Sequence, residues 1–379
     1  MCSLFRCAGQ PFGGKNMVVA GDFAQLPPVG GPSRSLYSNK IGHSLNGLAL
    51  DGQQKVMGKV VWHQFTTVVI LRQNMRQRGM SAGDIAYRTM LENLRYRACT
   101  EDDIRLLDRL QLGNPHCTAT LNDEGFQNQS VICIWNAHRD SINTRSTVDY
   151  ARTHNQHLMT FYSDDSFASA KSSSSVTQEI REERQVLDPV RKTNDLEEAL
   201  QLKLWDMPPG LTDHIAGKLT LCVGMPVMLK INEATELCAT NGAEATVWGW
   251  KAKKLSGGHD ALDVLFVKLV NPPRVVTIKG LPDNVLPLTA QSEKITVQIG
   301  DNTSIRISRK QIRVLPNFAM TDYASQGRTR PFNPVNLSHC RTHQSAYTAL
   351  SRSSTATGTL IVSPIPYDVL RGGADGDIR

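Results

Sequence analysis

The sequence predicts an α/β protein that carries a second, mostly β portion. Residues 17–20 and 66–71 are short apolar, β-branched runs, which are typical of buried parallel strands. An apolar stripe with helical spacing follows over residues 81–97. Residues 241–315 then contain five β-rich runs separated by Gly, Pro and Asn. These patterns indicate an open α/β sheet into which a small antiparallel β-barrel is inserted.

The first strand leads into the motif GDFAQLPPV at residues 21–29. Gly21 and Asp22 form a turn at the end of the strand, and two prolines stiffen the exit. Ligands of open α/β sheets bind beyond the carboxyl ends of the strands, so Asp22 and Gln25 are placed where a phosphate and its water could lie. The alternative is an ordinary strand-to-loop turn with a polar cap. A loop rich in Gly and Ser is predicted over residues 30–58.

A helical connector is predicted after the second apolar run. Ser81 is a suitable cap for a helix over residues 81–97. Thr100, with Asp103 three positions later, starts a second helix that ends near Gly113. The first helix has an apolar stripe that we expect to be packing surface, formed by Tyr87, Met90, Leu91 and Leu94.

The second α/β portion opens with an apolar strand at residues 130–135. Residues 163–200 are rich in Ser and then in charge, which indicates a mobile insertion. Strand-like sequence returns at residues 219–223 and 227–229. The barrel strands are predicted at residues 245–250, 262–270, 274–278, 294–299 and 304–308.

Composition describes a globular protein with reduced cysteines. The 379 residues leave room for two or three domains, and 40% of them are hydrophobic. No apolar run approaches the roughly 20 residues that cross a bilayer, and the first residues lack the pattern of a secretory signal. Membrane and export functions are therefore not expected. Eight cysteines form no CxxC pair, so we predict a reducing intracellular compartment and no metal site.

The charge distribution favours a polyanionic partner. The net charge is +7 and the isoelectric point is near 9.0. Residues 303–352 contain eight Lys or Arg against the single acid Asp322, and residues 71–97 contain six against two acids. Three aromatic side chains of the predicted barrel could stack on bases, with core packing as the alternative: Trp248, Trp250 and Phe266.

Five strings in a fixed order carry a family resemblance. GDFAQLPPV is followed by ILRQNMRQ at residues 70–77 and by GMPVMLKIN at residues 224–232, with Asn241 and Gly242 after it. TDYASQGRT at residues 321–329 and YTALSR at residues 347–352 complete the set. With these strings, the chain resembles the Pif-type DNA helicases, relatives of RecD within superfamily one.

The resemblance implies a RecA-like P-loop NTPase helicase fold with a truncated first lobe, a complete second lobe and an inserted small β-barrel. The remnant of the first lobe would be residues 1–71, and the helical connector residues 72–128. The second lobe would comprise residues 129–240 and 316–370, and the barrel residues 241–315. A lobe shortened in this way is expected to expose apolar surface or an unpaired strand edge.

The resemblance also assigns roles to residues. Gln25 corresponds to the γ-phosphate sensor, and Arg76 and Arg352 to arginine fingers, which place positive charge against the charge that develops during phosphoryl transfer. Arg72 imitates the same Arg-Gln pair but precedes the Asn-Met of the family pattern. Residues implied to contact nucleotide are Asp22, Gln25, Gln326 and Gly327. Residues implied to contact DNA are Thr321, Tyr323 and Ser325, although Ala324 stands where many relatives have Lys.

Two elements of the family pattern are absent from the sequence. A phosphate loop requires GxxxxGK followed by Ser or Thr, and Lys15 precedes Asn16 and has Gln10 at the place of the first Gly. Asp123 with Glu124, the only Asp-Glu pair, follows a polar run rather than a buried strand, as a solvated turn does. The resemblance implies that both elements should lie upstream of Met1 in a longer polypeptide. ATP and Mg²⁺, the cofactors of the intact family, are therefore not expected to bind this chain tightly.

The function implied by the resemblance is that of an ATP-dependent DNA helicase, which couples ATP hydrolysis to 5′-to-3′ translocation on single-stranded DNA and to duplex unwinding in repair, recombination or telomere maintenance. The expected partners are single-stranded or forked DNA and the missing N-terminal half, without which the chain is expected to be inactive. The expected compartment is the nucleus, with the mitochondrion as the alternative. Two other functions stay open: a non-catalytic single-stranded DNA-binding remnant, and a fragment from a mobile element or a gene model.

Overall fold

The computed structural model describes residues 10–28, 35–36, 50–127, 129–168, 196–299 and 303–373. Val29 of the first motif and residues 169–195 of the predicted insertion lie outside the described residues. The helices are α1 Leu50–Trp62, α2 Ala82–Arg95, α3 Glu101–Arg109, α4 Asn136–Thr153, α5 Glu198–Asp206, α6 Asp322–Ser325, α7 His343–Leu350 and α8 Tyr367–Leu370. The strands are β1 Val131–Cys133, β2 Met159–Tyr162, β3 Asp164–Phe167, β4 Lys218–Leu221, β5 Pro226–Leu229, β6 Glu244–Lys254, β7 Asp260–Leu269, β8 Val285–Thr289, β9 Gln291–Ile299, β10 Thr303–Gln311, β11 Val314–Pro316, β12 Ala319–Thr321, β13 Asn333–Asn336 and β14 Thr359–Ile361.

The chain divides into two compact units. Unit 1 contains Met1–Arg139 and Met320–Arg379, and unit 2 contains Asp140–Ala319. Among the described residues, no helix is long and apolar enough to cross a membrane.

Unit 1 is built on a four-stranded sheet in the order β12, β1, β13, β14. Strands β1 and β13 pair in parallel, with Ile132 opposite Val335, and β13 pairs in parallel with β14. The side chains of Ile132, Val335 and Ile361 are fully buried. In the short β1, Ile132 and Cys133 are buried and Val131 is half-buried, as expected for a parallel strand covered on both faces. The α/β class with a parallel sheet is therefore confirmed.

The two connector helices begin where their capping residues predict. The Ser81 side chain accepts a hydrogen bond from the backbone N–H of Asp84 and caps α2. Thr100 and Asp103 form a reciprocal capping box at the start of α3. The predicted stripe of α2 is buried, with Tyr87 and Leu94 at zero exposure.

The predicted strands before these helices are wrong. Residues 17–20 and 66–71 belong to no strand, and Val18 and Leu71 are each 91% exposed. A β-branched run becomes a strand only when a neighbouring strand satisfies its backbone groups, and no described residue does so here. The predicted loop over residues 30–58 is wrong from Leu50 onward, because α1 begins there. Apolar side chains of both runs are exposed, while the truncation of a first lobe stays a prediction.

Unit 2 is rich in β structure. A five-stranded sheet has the order β11, β5, β6, β7, β8, a three-stranded sheet the order β3, β10, β9, and β2 pairs with β4. The strand predicted at residues 274–278 is wrong, and β8 lies later, at Val285–Thr289. Strands from outside residues 241–315, such as β3 and β5, belong to these sheets. A closed, separate barrel therefore stays a prediction.

A buried ion pair joins two strands of unit 2. The Arg309 guanidinium on β10 donates to both carboxylate oxygens of Asp165 on β3, at 3.0 and 2.8 Å, and both side chains are fully buried. Arg309 also donates to the carbonyl oxygens of Ile215 and Leu204, at 3.0 and 2.9 Å. The predicted insertion at residues 163–200 thus begins with an ordered strand.

Candidate functional site

The NMRQ motif brings the side chains of Arg76 and Gln77 to the same carbonyl oxygen, that of Ser351. The Asn74 side-chain oxygen accepts hydrogen bonds from the backbone N–H groups of Arg76 and Gln77, at 3.0 and 3.1 Å. This local turn directs Arg76 Nε to Thr329 Oγ1 at 3.0 Å and Arg76 Nη1 to the carbonyl oxygen of Ser351 at 2.9 Å. Gln77 Nε2 donates to the same carbonyl at 3.2 Å. Three of the five family-like strings therefore meet in unit 1.

Arg352, which follows the last turn of α7, is held in a buried position. Its side chain is 1% exposed, Nε donates to the carbonyl oxygen of Thr348 at 2.8 Å, and Nη2 donates to Ser351 Oγ at 2.8 Å. Among the described residues, nothing accepts a hydrogen bond from Nη1, and the buried Thr348 hydroxyl one turn earlier also has no partner. A buried donor without an acceptor is costly and rare in a folded protein.

Burial and a neighbouring cation both act on the guanidinium groups of this cluster. Burial lowers the pKa of Arg352 to about 10, and the neighbouring Arg76 cation adds to the effect. Burial also lowers the pKa of Arg76, against an opposing effect of Tyr347. Two guanidinium groups that disfavour each other, one with a free donor, would be stabilised by a phosphate or another anion placed between them.

The loop at residues 21–28 is tied to the same part of unit 1. Asp22 Oδ1 accepts from the backbone N–H of Ala24 at 3.0 Å, and Asp22 Oδ2 accepts from Gln25 Nε2 at 3.3 Å. Arg95, the last residue of α2, donates to Asp22 Oδ2 at 2.7 Å and to Tyr347 Oη at 3.1 Å. Burial lowers the pKa of Arg95, but Tyr347 and Asp22 outweigh it and raise that pKa above its ordinary value. Asp22 thus links Gln25 to Arg95, which also contacts Tyr347 on α7.

The residues of TDYASQGRT occupy a tight turn. Thr321 caps α6 by accepting from the backbone N–H of Ala324 at 3.3 Å, and Tyr323 is 47% exposed. Ser325 is buried, and its hydroxyl donates to the carbonyl oxygen of Asp322 at 2.7 Å.

The sequence pattern predicts Gln326 and Gly327 at the start of a helix, but both residues follow the end of α6. Gln326 is the exposed residue that ends α6. Gly327 has φ of +80°, a conformation that favours glycine. The two residues therefore lie at the carboxyl end of a one-turn helix, and their contact with nucleotide stays a prediction.

Sequence reasoning missed two members of the cluster. Arg95 and Tyr347 link the first motif to the last, across 73 and 252 residues of sequence. Tyr347 lies within YTALSR, where the motif itself could have directed attention to it. Arg95 carries no local signal beyond its place at the end of a helix. Arg72, the rejected alternative to Arg76, is exposed.

The described residues do not offer a metal centre. No group of three or more His, Cys, Asp or Glu side chains among them is placed to hold a metal ion. Asp22, a carboxylate that acts electrostatically on Arg352, forms an ion pair with Arg95. These residues therefore do not fit Mg²⁺, whereas the free donor of Arg352 does fit a phosphate oxygen.

The fold is similar to those of solved Pif1 helicase structures. The Pif1 helicase of Candida albicans matches 100% of the chain over 73% of its own length, with a TM-score of 0.56 and 18% identity. Bacteroides Pif1 bound to single-stranded DNA matches 97% of the chain over 66% of its own length, with a TM-score of 0.55 and 18% identity. The chain has a Pif1-helicase-like fold. No protein-family model and no curated protein matches the sequence.

Proposed function

We propose that the chain is the nucleotide-sensing and DNA-holding portion of an ATP-dependent helicase of the Pif type. The observation that carries this proposal is the buried Arg352 with its unpartnered Nη1, beside Arg76. The Pif1-like fold supports it, as do the basic segments that contain the motifs. The proposed partners are single-stranded or forked DNA, and the proposed compartment is the nucleus or the mitochondrion.

Arg76 and Arg352 would hold the terminal phosphate, and Gln25 would face it from the loop that Asp22 fixes. ATP, when bound, supplies the phosphoryl group whose transfer to water drives movement of a helicase. The two guanidinium groups stabilise the negative charge that develops on the transferred phosphoryl group. An arginine in this role contributes a rate factor of about 10³ to 10⁵, which equals about 4 to 7 kcal/mol of barrier.

The phosphate loop would come from a segment outside this sequence, because the 379 residues contain no GxxxxGK followed by Ser or Thr. We therefore propose that the chain alone turns over ATP negligibly and needs the missing N-terminal half of the helicase. Robust ATP hydrolysis by the purified chain, stimulated by DNA and abolished in Arg352→Gln, would contradict the proposal that the phosphate loop comes from outside this sequence.

A second candidate function is single-stranded DNA binding without any response to nucleotide. The absence of a phosphate loop favours it, since DNA contacts by the basic segments do not require ATP. Both functions have DNA as the partner. They differ in whether Arg76 and Arg352 bind the phosphate of a nucleotide.

The experiment measures the affinity for fluorescent oligo(dT) with and without a millimolar non-hydrolysable ATP analogue. We expect salt-dependent binding, with a dissociation constant of about 10⁻⁴ to 10⁻⁶ M at physiological salt. The analogue should shift this affinity in the native chain and in Arg72→Gln, which alters an exposed arginine four residues before Arg76, but not in Arg352→Gln. An identical affinity with and without analogue would favour the non-catalytic function. Absence of DNA binding would contradict both.

A further inference from the structure

Two loops of unit 1 leave the sheet at the same edge. Strands β1 and β13 are parallel neighbours, with Cys133 opposite Asn336. Trp135 lies two residues after β1, and His339 lies three residues after β13. Because open α/β sheets bind ligands beyond the carboxyl ends of their strands, this edge is a place where a ligand is expected.

Aromatic and basic side chains converge there. The rings of Trp135 and His339 are stacked, with centroids 4.7 Å apart and planes at 27°. The His138 ring lies near both, at 6.2 Å from Trp135 and 5.1 Å from His339. The Arg341 guanidinium lies 5.5 Å from the centre of the Trp135 ring. The φ of His339 is +60°, an uncommon conformation for a residue other than glycine, and such conformations cluster at ligand sites.

Trp135 differs from the buried Trp205 of unit 2. Trp205 is 7% exposed, and its Nε1 donates to the carbonyl oxygen of Ser163 at 2.9 Å. Trp135 is 40% exposed although histidine rings flank it. A large ring that is fixed by its neighbours and still open to solvent suits stacking by a planar ligand.

We propose that Trp135 is a base-stacking platform for single-stranded nucleic acid, and that Arg341 contacts the adjoining phosphate. This inference rests on the proposed function, because the nucleotide bound by Trp135 and Arg341 would belong to the single-stranded DNA that the proposed function requires. The chemistry fits an unpaired base, since every base offers a π face to an indole and each nucleotide carries an anionic phosphate. Tyr323, an expected DNA contact, lies on α6, which packs against β1.

The test separates contacts to bases from contacts to phosphates. Two fluorescent oligomers of about 12 nucleotides are compared, one of oligo(dT) and one with abasic sugars on the same backbone. Trp135→Ala should weaken oligo(dT) binding by about 5- to 30-fold, or about 1 to 2 kcal/mol, and leave the abasic oligomer unaffected. Trp135→Phe should retain most of the oligo(dT) affinity, because it keeps a stacking ring.

Arg341→Gln provides the complementary measurement. It should weaken the two oligomers alike and lower the slope of log affinity against log salt by about one. Urea unfolding of each variant checks that the half-exposed Trp135 can be changed without loss of the fold.

Four outcomes would overturn the proposal. An unchanged oligo(dT) affinity in Trp135→Ala would do so, as would equal weakening of both oligomers by that variant. Weakening of oligo(dT) alone by Arg341→Gln, or no effect of it on either oligomer, would remove the phosphate contact. If the native chain binds neither oligomer, the proposed function itself fails, which distinguishes that failure from the loss of the platform alone.

Discussion

Replacing Arg352 with Gln should leave unit 1 as stable as before or make it more stable. The substitution removes a buried charge that faces another cation and leaves no partner charge unpaired, since Arg352 donates only to the carbonyl of Thr348 and the hydroxyl of Ser351. Stability would thus be gained where the proposed phosphate contact is lost, as is common at functional sites.

The magnitude follows from two opposing effects. The pKa of Arg352 is lowered from 12.5 to about 10, mainly by burial. At about 1.36 kcal/mol per pH unit, this disfavours the charged form by about 3 kcal/mol in the folded state. Near neutral pH the arginine is charged in both folded and unfolded chains, so this cost is fully present and independent of pH. Loss of two hydrogen bonds costs about 1 kcal/mol each, which leaves a net gain of about 0 to 2 kcal/mol.

Urea unfolding measures this change, and Arg309→Gln is the matched control. Arg309 is also fully buried, but its charge is paired with Asp165. The same substitution should therefore strand a carboxylate and cost about 3 to 5 kcal/mol. The two arginines lie in different units, so their effects can fall on separate transitions. A loss of more than about 2 kcal/mol in Arg352→Gln would show that the arginine is structural.

Further predictions concern stability. Burial raises the pKa of Asp322 to about 6, above its ordinary 3.8. The native chain should therefore lose up to about 3 kcal/mol as pH rises from about 4 to about 6, while Asp322→Asn, followed by urea unfolding across this range, should not. Thr100→Ala should cost about 1 kcal/mol by removing the cap of α3, and an unchanged urea midpoint would contradict that role. Gly217→Ala should unfold unit 2 at a lower temperature, because a Cβ there would lie 2.7 Å from Trp205 Cα, whereas Gly249→Ala meets nothing within 4 Å and should be tolerated.

The sequence predicts those parts of the fold that depend on residues close together in the chain. Ser81 and Thr100 fix the starts of α2 and α3 through short-range hydrogen bonds, which a sequence pattern can show. β8 was missed because it contains Pro287, which argues against a strand in the middle of a sheet. The strand lies at the edge of its sheet, where a proline is tolerated. Edge position depends on the whole topology and cannot be read from a short window.

The candidate site also contains residues that local sequence reveals and one residue that it does not. The motifs identified Gln25, Arg76 and Arg352, and the structure brings the segments that carry them together in unit 1. The roles assigned to these residues stay predictions. Arg95 joins the cluster only through contacts that span long stretches of sequence, so periodicity and spacing could not reveal it.

The most direct test is whether a phosphate anion occupies the place beside Arg352. Urea unfolding is measured with and without about 10 mM tripolyphosphate, which should stabilise the native chain by about 1.4 kcal/mol if its dissociation constant is about 1 mM. Arg72→Gln should keep this stabilisation, and Arg352→Gln and Arg76→Gln should lose it. Equal stabilisation of all four proteins would mean that the arginine pair binds no phosphate.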